Sequence, residues 1–281
     1  VIELLRFDFM QRALIAALLV GLAAPAIGTF MVQRRLALLG DGIGHVALTG
    51  VALGFLTGTA PVLTAVVVSI LGAVAIELVR ARGRTSGDVA LALLFYGGIA
   101  GGVLLISLAP GGSNATLMSY LFGSISSVAV EDVWVIGLLA VAVLGVVTVF
   151  GRELYVLCQD EEVAKASGLP VRFLSLLIAV TAALTVVIAM RVVGLLLVSA
   201  LMVVPVATSQ QLTRGFVSTM LLSMLFGMIS TVGGLTSSFY VEVPPGAIIV
   251  IVALTGFVLA LGLGRFVRRS RSQEFSHEQQ A

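Results

Sequence analysis

Two residues of the second apolar stretch have the types and the spacing to do chemistry. Asp41 and His45 stand four residues apart within LALLGDGIGHVALTGVALG (36–54). On a helix that separation puts both side chains on one face, about 40° apart around the axis and one turn apart along it. Thr49 carries the same stripe one turn further. A carboxylate and an imidazole are oxygen and nitrogen donors that Zn²⁺, Mn²⁺ and Fe²⁺ all accept. Counted from Leu36 at ~1.5 Å per residue, His45 is expected roughly 13 Å into its helix, near the middle of a bilayer. Gly40, Gly42 and Gly44 leave room around the pair for another helix or a solvated path. The same residues also fit a structural role, in which Asp41 and His45 bond each other or a nearby carbonyl to hold two helices together.

The elements that must position this pair are membrane helices. Of 281 residues 59% are hydrophobic and 11% charged, whereas a soluble domain carries roughly 25% charged residues. The apolar residues form blocks of about 18 to 25 positions, the length that a ~30 Å hydrocarbon core demands of a helix. Spans are expected at about 10–32, 36–57, 60–79, 88–108, 132–150, 173–190, 193–211, 215–236 and 244–264. Nine is the preferred count, and eight the alternative if the seventh, interrupted by Pro205, is bent or short. The first is read as a retained helix rather than a signal sequence. A membrane β-barrel needs alternating segments of about ten residues, and these blocks are apolar all round. The fold class is therefore an all-α polytopic bundle, with a permease domain over 1–269 and a polar, disordered tail over 270–281.

Basic residues fall between the apolar blocks. Arg34 and Arg35, Arg80, Arg82 and Arg84, Arg152, Lys165 and Arg172, Arg214, and Arg265 to Arg271 follow alternate spans. The intervening connections at 58–61, 109–131 and 237–243 hold no Lys or Arg. By the positive-inside rule the basic loops are cytoplasmic, which puts the C-terminal end inside and the N-terminal end outside for nine spans. Arg6, Arg12 and Arg191 run against that pattern. The net charge of +2, clustered this way, speaks for orientation in lipid and against nucleic acid as a partner.

Other ionisable residues have plainer readings. Glu77 beside Arg80 snorkels to the interface, and Asp88, Glu131 and Asp132 suit helix N-termini. Trp134 is an interfacial anchor, and His277 lies in the tail. The single cysteine, Cys158, excludes an intramolecular disulfide and reads as a bystander in a charged loop.

The longest basic connection is GRELYVLCQDEEVAKASGLPVR (151–172). Its middle is expected to form a short cytoplasmic helix, with Asp160, Glu161 and Glu162 at one end, Lys165 following, and Gly168 and Pro170 stopping it. It is either a docking element or an ordinary linker. A P-loop needs Gly-Lys followed by Ser or Thr, and the one lysine, Lys165, lies between Ala164 and Ala166. If ATP drives this protein, another subunit hydrolyses it.

These segments resemble one family nearly end to end: the metal-uptake ABC permeases of the zinc/manganese/iron class, membrane subunits similar to the bacterial zinc permease. RRLALLGDGIGHVALTGVALG (34–54) is similar to the family's Arg-Arg…Gly-Asp-x-x-x-His segment. LFGSISSV (121–128), LLVSALMVVPVATSQQLTR (196–214) and VEVPPGAIIVIV (241–252) also match. DEEVAKASG (160–168) looks like the coupling-helix motif, with Ala164 and Gly168 at its fixed places. Gly44, Thr49, Ala92 and Pro245 depart from the family's usual residues but leave the Asp-His pair intact.

The resemblance implies an ATP-binding-cassette importer subunit with an ABC importer permease fold, carrying a divalent metal into the cytoplasm. It implies Asp41 and His45 as metal ligands, and Asp160, Glu161, Glu162, Ala164 and Gly168 as the contact with the ATPase. The partners it implies are a second copy of the chain, two cytoplasmic ATPases and an extracellular metal-binding protein. No resident cofactor is implied, and ATP sits on the partner subunit. Two copies of the pair would then make a four-ligand site. The alternatives are a permease for a metal chelate, an ion-coupled secondary transporter using Asp41 as a proton site, and an intramembrane metallo-hydrolase. The last would need a third ligand and a general base.

Overall fold

The computed structural model describes the backbone at residues 7–81, 87–109, 114–124 and 128–278; the side chains at 81, 87–88, 114–117 and 263–278 lie outside that description. All regular elements among the described residues are helices. They are α1 (Asp8–Gln33), α2 (Leu39–Thr57), α3 (Pro61–Ala81), α4 (Gly87–Leu108), α5 (Asn114–Phe122) and α6 (Val130–Val149), then α7 (Gly151–Gln159), α8 (Glu161–Ala166), α9 (Val171–Met190), α10 (Val198–Leu212), α11 (Phe216–Val241) and α12 (Pro245–Glu278). The tail expected from residue 270 falls on the last part of α12 and beyond it.

Small side chains decide which helices take the centre. α1 and α9 bury 72% of their membrane windows, against 22% for α3, α4 and α6. Along α1 the buried residues include Ala13, Ala16, Ala17, Ala23, Ala24, Gly21 and Gly28, which let neighbouring backbones come close. Pro25 lies inside α1 and removes the donor that would bond the Gly21 carbonyl. That carbonyl faces Gly227 of α11. The exposed positions of α3 and α6 include Leu63, Val67, Leu71, Trp134, Leu138 and Val141, a surface suited to lipid.

Among the described residues eight helices are long and apolar enough to cross a membrane, the alternative count expected if the seventh span is short, in place of the preferred nine. The seventh apolar segment is divided between an irregular turn over 191–197 and α10, which has 15 residues and a length of ~22 Å, short of the ~30 Å hydrocarbon core. Irregular backbone survives at membrane depth only if protein satisfies its polar groups. Here the Leu195 and Leu196 N–H groups donate to the carbonyls of Tyr120 and Leu121, at 2.9 and 3.2 Å. α5, inside the connection expected at 109–131, supplies those carbonyls.

The partial crossing still returns the chain to the basic end. The Phe216 ring, at the start of α11, packs 5.1 Å from Phe30 near the end of α1, and Thr213 and Thr219 hydroxyls bond at 2.8 Å. The start of α11 therefore lies at the same end of the bundle as the end of α1. Arg191, which ran against the charge pattern, is an ion-pair partner of Asp132 at the start of α6. It also donates to the Tyr120 hydroxyl at 3.1 Å.

Candidate functional site

The chain reverses sharply ahead of α2. Arg35 has φ of 59°, and the Leu36 N–H donates to the Met31 carbonyl at 2.8 Å. Residues 34–38 are therefore turn, and α2 begins at Leu39. His45 stands ~9 Å along the helix, nearer its cytoplasmic end than a count from Leu36 predicts. Asp41 falls in the first turn, where the helix dipole favours a carboxylate.

The pair shares one helical face, and each member is held by a different neighbour. Asp41 Oδ1 accepts from the Ser199 hydroxyl of α10 at 2.9 Å. His45 is 6% exposed, and its ring meets Phe95 of α4 edge-on at 4.3 Å. α4 comes this close because position 98 is glycine: a Cβ there would stand 2.6 Å from the His45 carbonyl carbon. One turn on, the Thr49 hydroxyl donates to the Gly98 carbonyl at 2.9 Å, so the third member of the stripe ties α2 to α4. Among the described hydrogen bonds none joins Asp41 to His45. The Asp41–Ser199 bond joins α2 to α10.

Asp41 borders a cavity of about 240 Å³ with Leu38, Leu91, Ala92, Phe95 and Tyr96. Leu38 and Tyr96 are exposed, so the cavity opens on the α2–α4 face. No group of three or more His, Cys, Asp or Glu able to hold a metal occurs among the described residues. One copy offers two such donors here. Ser199, Phe95 and Tyr96 were missed from sequence. Ser199 lies in the quoted segment 196–214, but a lone serine in an apolar run carries no sign of its partner.

At the cytoplasmic end the expected short helix is α8, with a second helix, α7, before it. Asp160 breaks the two with an extended backbone, and its Oδ1 accepts from the Glu162 and Val163 N–H groups at 2.8 and 3.2 Å. This is N-capping of the sort that Asp provides. Glu161 pairs with Arg34 of the α1–α2 turn and with Lys165, both at 3.1 Å. Lys165 also pairs with Glu162 at 3.2 Å. The hydrogen bonds that Lys165 donates to Glu161 and then to Glu162 raise its pKa. Ala164 is fully buried, and Gly168, at φ of 76°, takes the left-handed conformation that ends helices and that glycine adopts without strain. Cys158 is not in a loop but buried on α7, its Sγ 3.6 Å from the Phe30 carbonyl.

Several expected positions lie outside the described residues: 125–127 within LFGSISSV, 110–113 of the outer connection, Arg82 and Arg84, and the side chains of Asp88 and His277. Glu77 and Arg80 are an ion pair at 3.0 Å.

The sequence profile of the ABC 3 transport family matches residues 6–264. The chain belongs to that family. A manganese transport system membrane protein, MntC, of Halalkalibacterium halodurans is 34% identical over 281 residues, covering 98% of this chain and 96% of the relative. The manganese import system permease protein ScaB of Streptococcus parasanguinis is 31% identical, covering 97% and 96%. Among solved structures, PsaBC from Streptococcus pneumoniae in complex with Fab matches with a TM-score of 0.83 and 34% identity over 92% of each chain. This ABC 3 family member is a membrane permease subunit of an ABC transporter, integral to the bacterial plasma membrane, and its fold is the all-α importer bundle that the resemblance implied.

Proposed function

We propose that this permease passes a divalent first-row metal, Mn²⁺ foremost, from an extracellular binding protein into the cytoplasm, with Asp41 and His45 as its transit ligands. The observation that carries the reading is His45, buried within a helix long and apolar enough to span a membrane, one turn on from Asp41, with Asp41 open to a cavity on the exposed α2–α4 face. An ionisable side chain inside a bilayer is expensive and by default marks a pathway. Carboxylate and imidazole suit Mn²⁺, Fe²⁺ and Zn²⁺ alike; manganese is favoured by the printed names of MntC and ScaB. Two donors per chain are too few for a closed site, so the pairs of two copies meeting across that face form a four-ligand site. A site shared between copies can be weak enough to release what it binds.

ATP hydrolysis then belongs to separate cytoplasmic subunits, and α8 with its cap Asp160 and stop Gly168 is the contact that transmits it. Glu161 fits this role because it links α8 to Arg34, seven residues before Asp41 in the chain.

The test is uptake of radioactive Mn²⁺ by cells expressing Asp41→Ala, His45→Ala or Ser199→Ala. The first two are expected to abolish uptake with protein level and ATPase assembly unchanged. Ser199→Ala is expected to slow it, because a positioning bond is lost while both ligands remain. Wild-type uptake by assembled His45→Ala protein removes the pair from the pathway. Loss of assembly in both ligand variants, with transport by whatever protein survives, makes the pair a support of the fold.

A further inference from the structure

A groove of about 590 Å³ lies between α6, α7 and α11, outside everything assigned above. Its walls include Phe30, Val147, Tyr155, Phe216 and Met220, with Arg152 at the rim. Tyr155 and Phe216 pack at 4.8 Å, and Phe30 closes the aromatic wall against Phe216. The groove sits where the membrane ends: Val149 is the last residue of α6 and Phe216 the first of α11. Val147 belongs to α6, a candidate membrane span, and Arg152 to α7, which is not one, so the groove joins acyl-chain depth to the headgroup region.

We propose that this groove binds an anionic phospholipid of the cytoplasmic leaflet, with the phosphate at Arg152 and an acyl chain along Val147 and Met220. The argument is charge complementarity at a set depth. Arg152 is the one charged side chain among the described lining residues, and no acid lines the groove. Neither Arg152 nor the adjacent exposed Arg214 belongs to an ion pair among the described residues. The cytoplasmic leaflet carries the anionic lipids, and basic pockets between membrane helices on that side hold their headgroups. The flanks Val149 and Val217 are 71% and 61% exposed; apolar flanks at this depth suit lipid rather than a soluble subunit. A zwitterionic lipid would bring its own cation to the arginines.

The full chain is purified in mixed micelles with phosphatidylglycerol or phosphatidylcholine and analysed by native mass spectrometry. Phosphatidylglycerol adducts are expected to persist and phosphatidylcholine adducts to be stripped. Arg152→Gln should lower phosphatidylglycerol retention about fivefold, the effect of one basic side chain near an anionic surface. Thr148→Trp, which fills the groove, should remove it. Equal retention by Arg152→Gln, equal retention of phosphatidylcholine, or displacement by inorganic phosphate alone overturns the proposal. An independent reading uses Val217→Trp in a Trp134→Phe background. Brominated phosphatidylglycerol should quench its fluorescence more than brominated phosphatidylcholine. Equal quenching, or loss of quenching once a cytoplasmic ATPase subunit is added, assigns the groove to another occupant and overturns the lipid.

Discussion

Arg191 and Arg34 hold opposite ends of the bundle with the same guanidinium chemistry in different surroundings. At the outer end Arg191 and its partner Asp132 are both mostly buried, with side chains 17% and 12% exposed. Arg191 also leaves its Nε buried without a partner. At the cytoplasmic end Arg34 is 9% exposed but its partner Glu161 is 48% exposed, and the Ser175 hydroxyl takes a second bond from Arg34 at 2.7 Å. A buried ion in a medium of low dielectric depends on its counter-ion, whereas an ion whose partner is wet can exchange that partner for water. The outer pair locks the irregular turn over 191–197 to the start of α6. The inner pair joins two segments that have to move if α8 transmits force.

That contrast breaks first at Asp132. Asp132→Ala leaves Arg191 buried and uncompensated and is expected to destabilise the protein by about 3–5 kcal/mol. Thermal unfolding in detergent reads this as a large fall in the midpoint, and an unchanged midpoint would show the outer pair to be as expendable as a surface one. Glu161→Gln is expected to change stability by only about 0–1 kcal/mol, with an effect that shrinks as salt rises. Its larger consequence should appear as ATPase activity uncoupled from Mn²⁺ uptake. A midpoint drop equal to that of Asp132→Ala would put both ends in the same class.

The smallest effect refines the picture of the inner end, which is not uniformly wet. Burial pushes the Cys158 thiol up to about 11 from 9.0, against a smaller opposing influence of Arg34. The folded state therefore holds this proton more tightly than the unfolded one. The stabilisation is fully present below pH 9.0 and is lost as pH rises through about 11. Iodoacetamide should alkylate Cys158 slowly at pH 8 in the folded protein, accelerating toward pH 11, while the unfolded chain reacts as an ordinary thiol. Fast labelling of folded protein at pH 8 would show that α7 does not shield the sulfur.

Much of this molecule was legible because its signals are local. Membrane helices announce themselves by length and composition, since a bilayer demands about 20 apolar residues from each crossing. Asp41 and His45 share a face because a helix repeats every 3.6 residues. Asp160 caps α8 because its carboxylate reaches N–H groups two and three residues on. None of these needs a distant partner, so sequence by itself settled them. What remained for tertiary structure joins residues far apart in the chain. Ser199 meets Asp41 across 158 positions and Arg191 meets Asp132 across 59. The seventh apolar segment stops short of a full helix because α5 supplies the carbonyls that its irregular turn requires. Apolar periodicity says which side of a helix is buried but not what it is buried against, and only packing decided those pairings.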